Sequence, residues 1–178
     1  MSGGPGDGWP PALIAREALE ARVGQLASAI EADYRDRDPI LVCVLRGATV
    51  FWADLARRIP RPLRADFVGI ESYGDGTRPG GLRLTRDLSL AVPGEDLLLI
   101  EDIIDTGRTL QALREMLGAR GPASLRACVL LDKRSRREVE VAVEYVGLEI
   151  PDVFVVGYGL DYAHRFRNLP YVGTLPGA

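Results

Sequence analysis

The string Leu97-Leu98-Leu99-Ile100-Glu101-Asp102-Ile103-Ile104-Asp105-Thr106-Gly107-Arg108-Thr109 sets the tightest limit on how this chain folds. Four apolar residues in a row read as a strand buried on both faces, the situation found inside parallel sheets. Three carboxylates follow within five positions, and Thr-Gly-x-Thr then marks the start of a helix. A single acid there would do no more than cap backbone N–H groups at the positive end of the helix. Three acids crowd like charges, which is unfavourable unless a cation or a polyol offsets them. Carboxylates hold hydroxyls or Mg2+, and loop N–H groups and hydroxyls cradle a phosphate. The combination points to a sugar-phosphate site.

The rest of the chain supplies the frame. Leu19, Val23, Leu26 and Ile30 recur at helical spacing and predict an amphipathic helix over 16–34. Asp38-Pro39 ends that region, and 40–45 reads as a buried strand. Phe51, Leu55 and Ile59 mark a second helix, stopped by Pro60 and Pro62. A strand is expected over 64–72. Four glycines and a proline between Gly74 and Gly81 break regular structure, and 82–84 resumes a short strand. The strand 96–101 leads into a helix from Arg108 with Leu110, Leu113 and Leu117 inward, closed by Gly118 and Gly121-Pro122. Strands at 124–131 and 152–156 are expected to complete the sheet. Strands alternating with helices give an α/β fold, with a central, mostly parallel twisted sheet flanked by helices. Ligands of such sheets bind at the carboxyl ends of the strands. Leu45-Arg46-Gly47, Glu101 to Thr109, Asp132-Lys133 and the residues after Val156 all fall there. A dinucleotide-binding reading fares worse, because no Gly-x-Gly-x-x-Gly stands between a strand and a helix.

With 178 residues, 47% of them apolar, the chain is one domain's worth with a sizeable core. Residues 1–15, Gly/Pro-rich as far as Pro11, are expected to be a flexible lead-in to a single domain over 16–178. A formal net charge of −3 and no long basic run argue against a nucleic-acid partner. No apolar run approaches a membrane span, and no apolar stretch follows basic residues near Met1, so a cytoplasmic protein is expected. Cys43 and Cys128 stand alone in apolar runs and read as buried free thiols. The lone His164 has no partner cluster, and surface histidine is its default.

The acid-rich string resembles the phosphoribosyl diphosphate (PRPP) motif of type I phosphoribosyltransferases, and in particular that of the hypoxanthine-guanine phosphoribosyltransferases. Three further stretches match that family in order: Val44-Leu45-Arg46-Gly47, Leu131-Asp132-Lys133-Arg134, and Phe154-Val155-Val156-Gly157-Tyr158-Gly159-Leu160-Asp161-Tyr162. The last discriminates most, since other phosphoribosyltransferases share the PRPP motif but not that tail. The resemblance runs from Leu19 to Leu175. It implies a purine-salvage enzyme that joins hypoxanthine or guanine to PRPP with Mg2+, giving IMP or GMP and pyrophosphate. Rivals on the same fold are an enzyme for xanthine or another base, and a sensor of PRPP without catalysis.

The same resemblance assigns residues. Asp105, Thr106, Gly107, Arg108 and Thr109 would form the 5′-phosphate pocket, largely through main-chain N–H groups and the two hydroxyls. Glu101 and Asp102 would take the ribose hydroxyls, directly or through Mg2+. Asp105 matches the acid/base that faces N7 of the purine; read alone, it is a helix cap. Lys133 would donate to the oxo group of a 6-oxopurine and so reject adenine; read alone, it is a solvated strand-end lysine. Phe154 would stack on the base, where the plain reading is core packing, and Val155 would act through its main chain. Asp161 matches a Mg2+ ligand on the pyrophosphate side and Arg167 a pyrophosphate contact; read alone, they are a turn acid and a surface arginine. Leu45-Arg46-Gly47 corresponds to the pyrophosphate loop, in which the family usually has lysine where this chain has Arg46, and often a cis peptide just before it. Ser72-Tyr73 opens what resembles the family's mobile loop over the reactive centre. A small hood from the C-terminal segment is implied, as is a homodimer or homotetramer.

Overall fold

Five strands side by side carry the chemistry-bearing turns to one edge. In the computed structural model, which describes residues 9–72 and 82–175, the chain runs β1 (Ala12–Ile14), α1 (Arg16–Asp33), β2 (Ile40–Leu45), α2 (Thr49–Ala56), β3 (Arg64–Ser72), β4 (Leu82–Arg86), β5 (Asp96–Ile104), α3 (Arg108–Gly118), β6 (Ser124–Asp132), β7 (Tyr145–Glu149), β8 (Val155–Val156) and β9 (Val172–Thr174). Among the described residues, six strands form a sheet in the order β4-β3-β2-β5-β6-β7. Strands β3, β2, β5, β6 and β7 are parallel, and β4 is antiparallel to β3 at one edge.

The apolar strands sit where their sequences require. Ile40 to Val44 and Leu97 to Ile100 are all buried, with alternate side chains entering opposite cores. On one face Leu41, Leu98 and Ile100 meet Leu19, Val23, Leu26 and Ile30 of α1 and Phe51 and Leu55 of α2. On the other, Val42, Leu97 and Leu99 meet Leu110, Leu113 and Leu117 of α3. Both helical stripes are the ones expected from spacing. Burial pushes the Cys43 thiol up to about 12 and raises Cys128 as well, so both are inert packing groups.

Two sequence expectations need correcting. The sheet is completed not by 152–156 but by β7, paired with β6 from Cys128↔Tyr145 to Asp132↔Glu149. Only Tyr145 of β7 is fully buried, so this edge strand lacks the continuous apolar run of its neighbours. Gly147 lets it lie close, since a Cβ there would stand 2.2 Å from the Leu130 carbonyl oxygen. Strand β8 belongs instead to a separate antiparallel sheet, β1-β9-β8. That small sheet is the C-terminal hood, and it draws in Ala12–Ile14, so ordered chain begins before the boundary expected at residue 15. The Tyr171 hydroxyl donates to the Pro10 carbonyl at 2.8 Å, and Thr174 N–H to that of Pro11 at 3.0 Å. Tyr73 and the Gly74 to Gly81 loop, expected to be mobile, lie outside the described residues. No helix among the described residues is long and apolar enough to cross a membrane.

Candidate active site

At the carboxyl ends of the parallel strands a cleft of about 420 Å3 opens between the main sheet and the hood. Leu45, Arg46 and Gly47 line it after β2, Glu101, Asp102 and Asp105 from the end of β5 onward, and Lys133 after β6. Phe154, Val155, Asp161 and Arg167 close the hood side, and Thr109 lies on the floor. A second hollow of about 270 Å3 adjoins it, lined by Asp105, Thr106, Gly107 and Thr109. Residues far apart in sequence thus meet as the topology requires.

Strand β5 runs four residues further than the Leu97 to Ile100 run, to Ile104, and carries Glu101 and Asp102 inside the sheet. The two carboxylates are only 9% and 8% exposed. Asp102 Oδ1 accepts the Ile103 N–H at 2.8 Å, but Glu101 Oε2 has no hydrogen-bond partner among the described residues. Burial first, then the adjacent Asp102 charge, pushes Glu101 well above the usual carboxylate range. Burial raises Asp102 too, against hydrogen bonds and the Arg167 charge that favour its ionised form. Two crowded, dry carboxylates with an idle oxygen favour an incoming cation or hydroxyl donor.

The turn that follows is shaped for an anion. Gly107 has φ +86° and opens α3, and a Cβ there would lie 2.9 Å from the Val139 carbonyl oxygen. The Thr106 carbonyl accepts the Glu138 and Val139 N–H groups, which ties the turn to the segment after β6. Backbone N–H groups at the start of α3 are left for a ligand. Arg108 offers the turn its backbone. Its side chain leaves the hollow to pair with Glu138 at 2.7 Å, so only its main chain faces the turn.

The peptide between Leu45 and Arg46 is cis. Gly47 is wedged: a Cβ would fall 1.6 Å from Asp102 Oδ2, and a Cβ on Gly159 would fall 2.1 Å from the Gly47 carbonyl oxygen. No side chain fits at either place. Gly159, with φ +103°, was not among the expected site residues. It sits in the turn after β8, which passes directly over the loop after β2. The Arg46 guanidinium reaches outward, 3.8 Å from Glu71.

Lys133 is buried, and among the described residues no carboxylate lies within the ion-pair distance of its ammonium. It is also the only lysine in the chain, against twenty-one arginines within the 22 basic residues. A chain that otherwise uses arginine throughout keeps a compact point donor here. The same bias accounts for Arg46, whose replacement of lysine follows the chain-wide preference. Phe154 is 38% exposed, with its ring edge-on to Tyr162 at 5.5 Å, which favours a ligand-facing ring over core packing.

The three expected metal ligands do not form one cage. Among the described residues no three acidic, His or Cys side chains group closely enough to hold an ion by themselves. Asp161 is instead paired with Arg167 at 2.6 Å, and its Oδ2 accepts the His164 N–H at 2.9 Å. Arg167 also donates to the Gly159 carbonyl at 2.6 Å. Each group in the hood therefore satisfies its neighbour.

Residues 12–163 match the phosphoribosyl transferase domain family model. The chain belongs to the phosphoribosyltransferase family. It is 48% identical to the hypoxanthine phosphoribosyltransferase of Salmonella typhimurium, over 92% of this chain and 93% of that protein. It is 44% identical to the hypoxanthine-guanine phosphoribosyltransferase of Bacillus subtilis, over 93% of each. A solved hypoxanthine-guanine phosphoribosyltransferase structure from Bacillus anthracis superposes with a TM-score of 0.88 at 41% identity, covering 92% of this chain and 97% of that one. Family membership and fold agree.

Proposed function

We infer that this phosphoribosyltransferase joins hypoxanthine or guanine to PRPP, giving IMP or GMP and pyrophosphate, in purine salvage. Its similarity to enzymes named for that activity supports the reading. The observation that carries it is the cleft itself, in which a buried unpartnered lysine, an exposed aromatic ring and two dry carboxylates face one another.

A purine ring nitrogen bonds to the anomeric carbon as the carbon–oxygen bond to pyrophosphate breaks. The electron pair leaves with pyrophosphate, and the purine N7 proton passes to Asp105. The turn 105–109 holds the 5′-phosphate through backbone N–H groups and the Thr106 and Thr109 hydroxyls. Glu101 and Asp102 accept from the ribose diol. Lys133 donates to the 6-oxo group, Phe154 stacks on the ring, and Val155 contributes its main chain. On the pyrophosphate side stand the Leu45 to Gly47 backbone and Arg167, which exchanges Asp161 for phosphate oxygens. Holding both partners aligned and stabilising developing charge are the main contributions.

The donor set fits Mg2+, which takes one or two carboxylates and completes its shell with water and phosphate oxygens. Glu101 and Asp102 offer the idle oxygen, and Asp161 joins once released from Arg167. When bound, the ion would neutralise charge on the diphosphate. Assembly as a homodimer or homotetramer in the cytoplasm belongs to the same proposal and rests on the family resemblance and the two free thiols.

A purine panel with PRPP and Mg2+, read by chromatography of nucleotides, tests the reaction. Product from hypoxanthine or guanine is expected, and PRPP binding without turnover of any base would favour a sensor. The single lysine offers a second test. An amine-selective reagent should label Lys133, and IMP or GMP should protect it. Equal labelling with and without nucleotide would remove Lys133 from the purine pocket.

A further inference from the structure

The carboxylate assigned to the proton has a partner that no sequence motif announced. Arg136 Nε stands 2.8 Å from Asp105 Oδ1, and Arg136 Nη1 stands 3.5 Å from Asp152 Oδ1. Arg136 closes the single helical turn 134–136 that begins at Lys133, whose carbonyl accepts the Arg136 N–H at 2.9 Å. One turn of chain therefore carries both Lys133 and the guanidinium that grips Asp105. Asp152 lies two residues before Phe154, on the segment that forms the aromatic wall of the cleft.

The pairing is one-sided. Asp105 Oδ1 has no accessible surface and no well-directed hydrogen bond, because the close guanidinium N–H is not aimed at it. The Asp105 side chain is nevertheless 40% exposed and lines the cleft, and Oδ1 contributes none of that exposure. Arg136 occupies one oxygen and leaves the other to the cleft. A free aspartate rotates about χ2 between nearly equivalent oxygens; the Arg136 charge, 2.8 Å from Oδ1, favours one setting of this one.

We propose that Arg136 is a positioning residue for the transfer reaction, which turns the Asp105 carboxylate so that Oδ2 faces the purine proton, with Asp152 fixing the guanidinium from the other side. The inference rests on the function proposed above. It concerns the proton-accepting group alone, so PRPP should bind as before when Arg136 is changed. Lysine at 136 keeps the charge but not the fork that spans two carboxylates.

A double-mutant cycle with hypoxanthine as the base decides it. Arg136→Gln should lower kcat about tenfold with KM for PRPP within about twofold, as expected for a misaimed group. Arg136→Lys should recover part of that loss. Once Asp105 is already Asn, adding Arg136→Gln should cost nothing further, because the residue acts through Asp105. Thermal melts check that each variant is folded; an exposed guanidinium contributes little to stability. The inference fails if Arg136→Gln leaves kcat unchanged, if the loss adds in full to that of Asp105→Asn, or if KM for PRPP carries the effect. Lack of turnover by the unaltered chain on every purine would instead overturn the proposed function, and this inference with it.

Discussion

Asp66 and Glu101 are equally hidden carboxylates at opposite edges of one sheet, and their surroundings differ in kind. Asp66, 3% exposed near the start of β3, accepts three backbone N–H groups: Phe67 at 2.8 Å, Ser89 at 2.7 Å and Leu90 at 2.8 Å. Glu101, near the end of β5, has an oxygen with no partner and a second carboxylate beside it. The first acid closes a loop and completes the fold. The second is left short of partners by the protein, and that shortage is what a ligand can relieve. Of these two acids, the satisfied one sits at the amino ends of the strands and the unsatisfied one at the carboxyl ends, where the cleft opens.

Exchanging a carboxylate for its amide tests that division residue by residue. The largest effect is expected at Asp66. Asp66→Asn replaces an acceptor with an NH2 facing two N–H donors, and should destabilise the chain by about 3 kcal/mol. Chemical denaturation measures this, while kcat per folded molecule should hold. A lost kcat in the folded fraction would erase the contrast between the two edges.

Asp105→Asn comes next. It keeps shape and removes the proton acceptor, so kcat should fall about a hundredfold or more, about 2.7 kcal/mol of barrier, with the melting temperature unchanged. Unchanged turnover would take Asp105 out of the chemistry.

How far the sequence anticipated this division depends on the signal each part carries. Strands β2, β5 and β6 were legible because a doubly buried strand needs an unbroken apolar run. Strand β7 was not, because an edge strand with one buried residue has no such run. The hood was legible as a motif but not as a sheet, since β1 and β9 are three residues each and 158 apart by pairing. Within the site, residues on strand ends were found by position. The Arg136 pairing and the Gly47–Gly159 contact were not, because they are tertiary facts with no sequence period. The single lysine was visible from composition all along.

The smallest effect, and the one that most sharpens the comparison, is expected at Glu101. Removing a charge that burial disfavours should stabilise the chain, so Glu101→Gln should gain about 1 kcal/mol at neutral pH while weakening the use of PRPP. The gain must depend on pH in a definite sense. In the folded chain Glu101 holds its proton to higher pH than it does unfolded, where it titrates at about 4.3. As pH rises through that window the folded state binds more protons than the unfolded one, so stability declines. Glutamine has no such decline. The melting temperature of Glu101→Gln should therefore pull ahead of the unaltered chain as pH rises above the unfolded value, and the two should converge towards acid. A Glu101→Gln difference that stayed flat with pH, or that shrank on the way to neutral, would mean that Glu101 is as well satisfied as Asp66, and the division between the two edges would be lost.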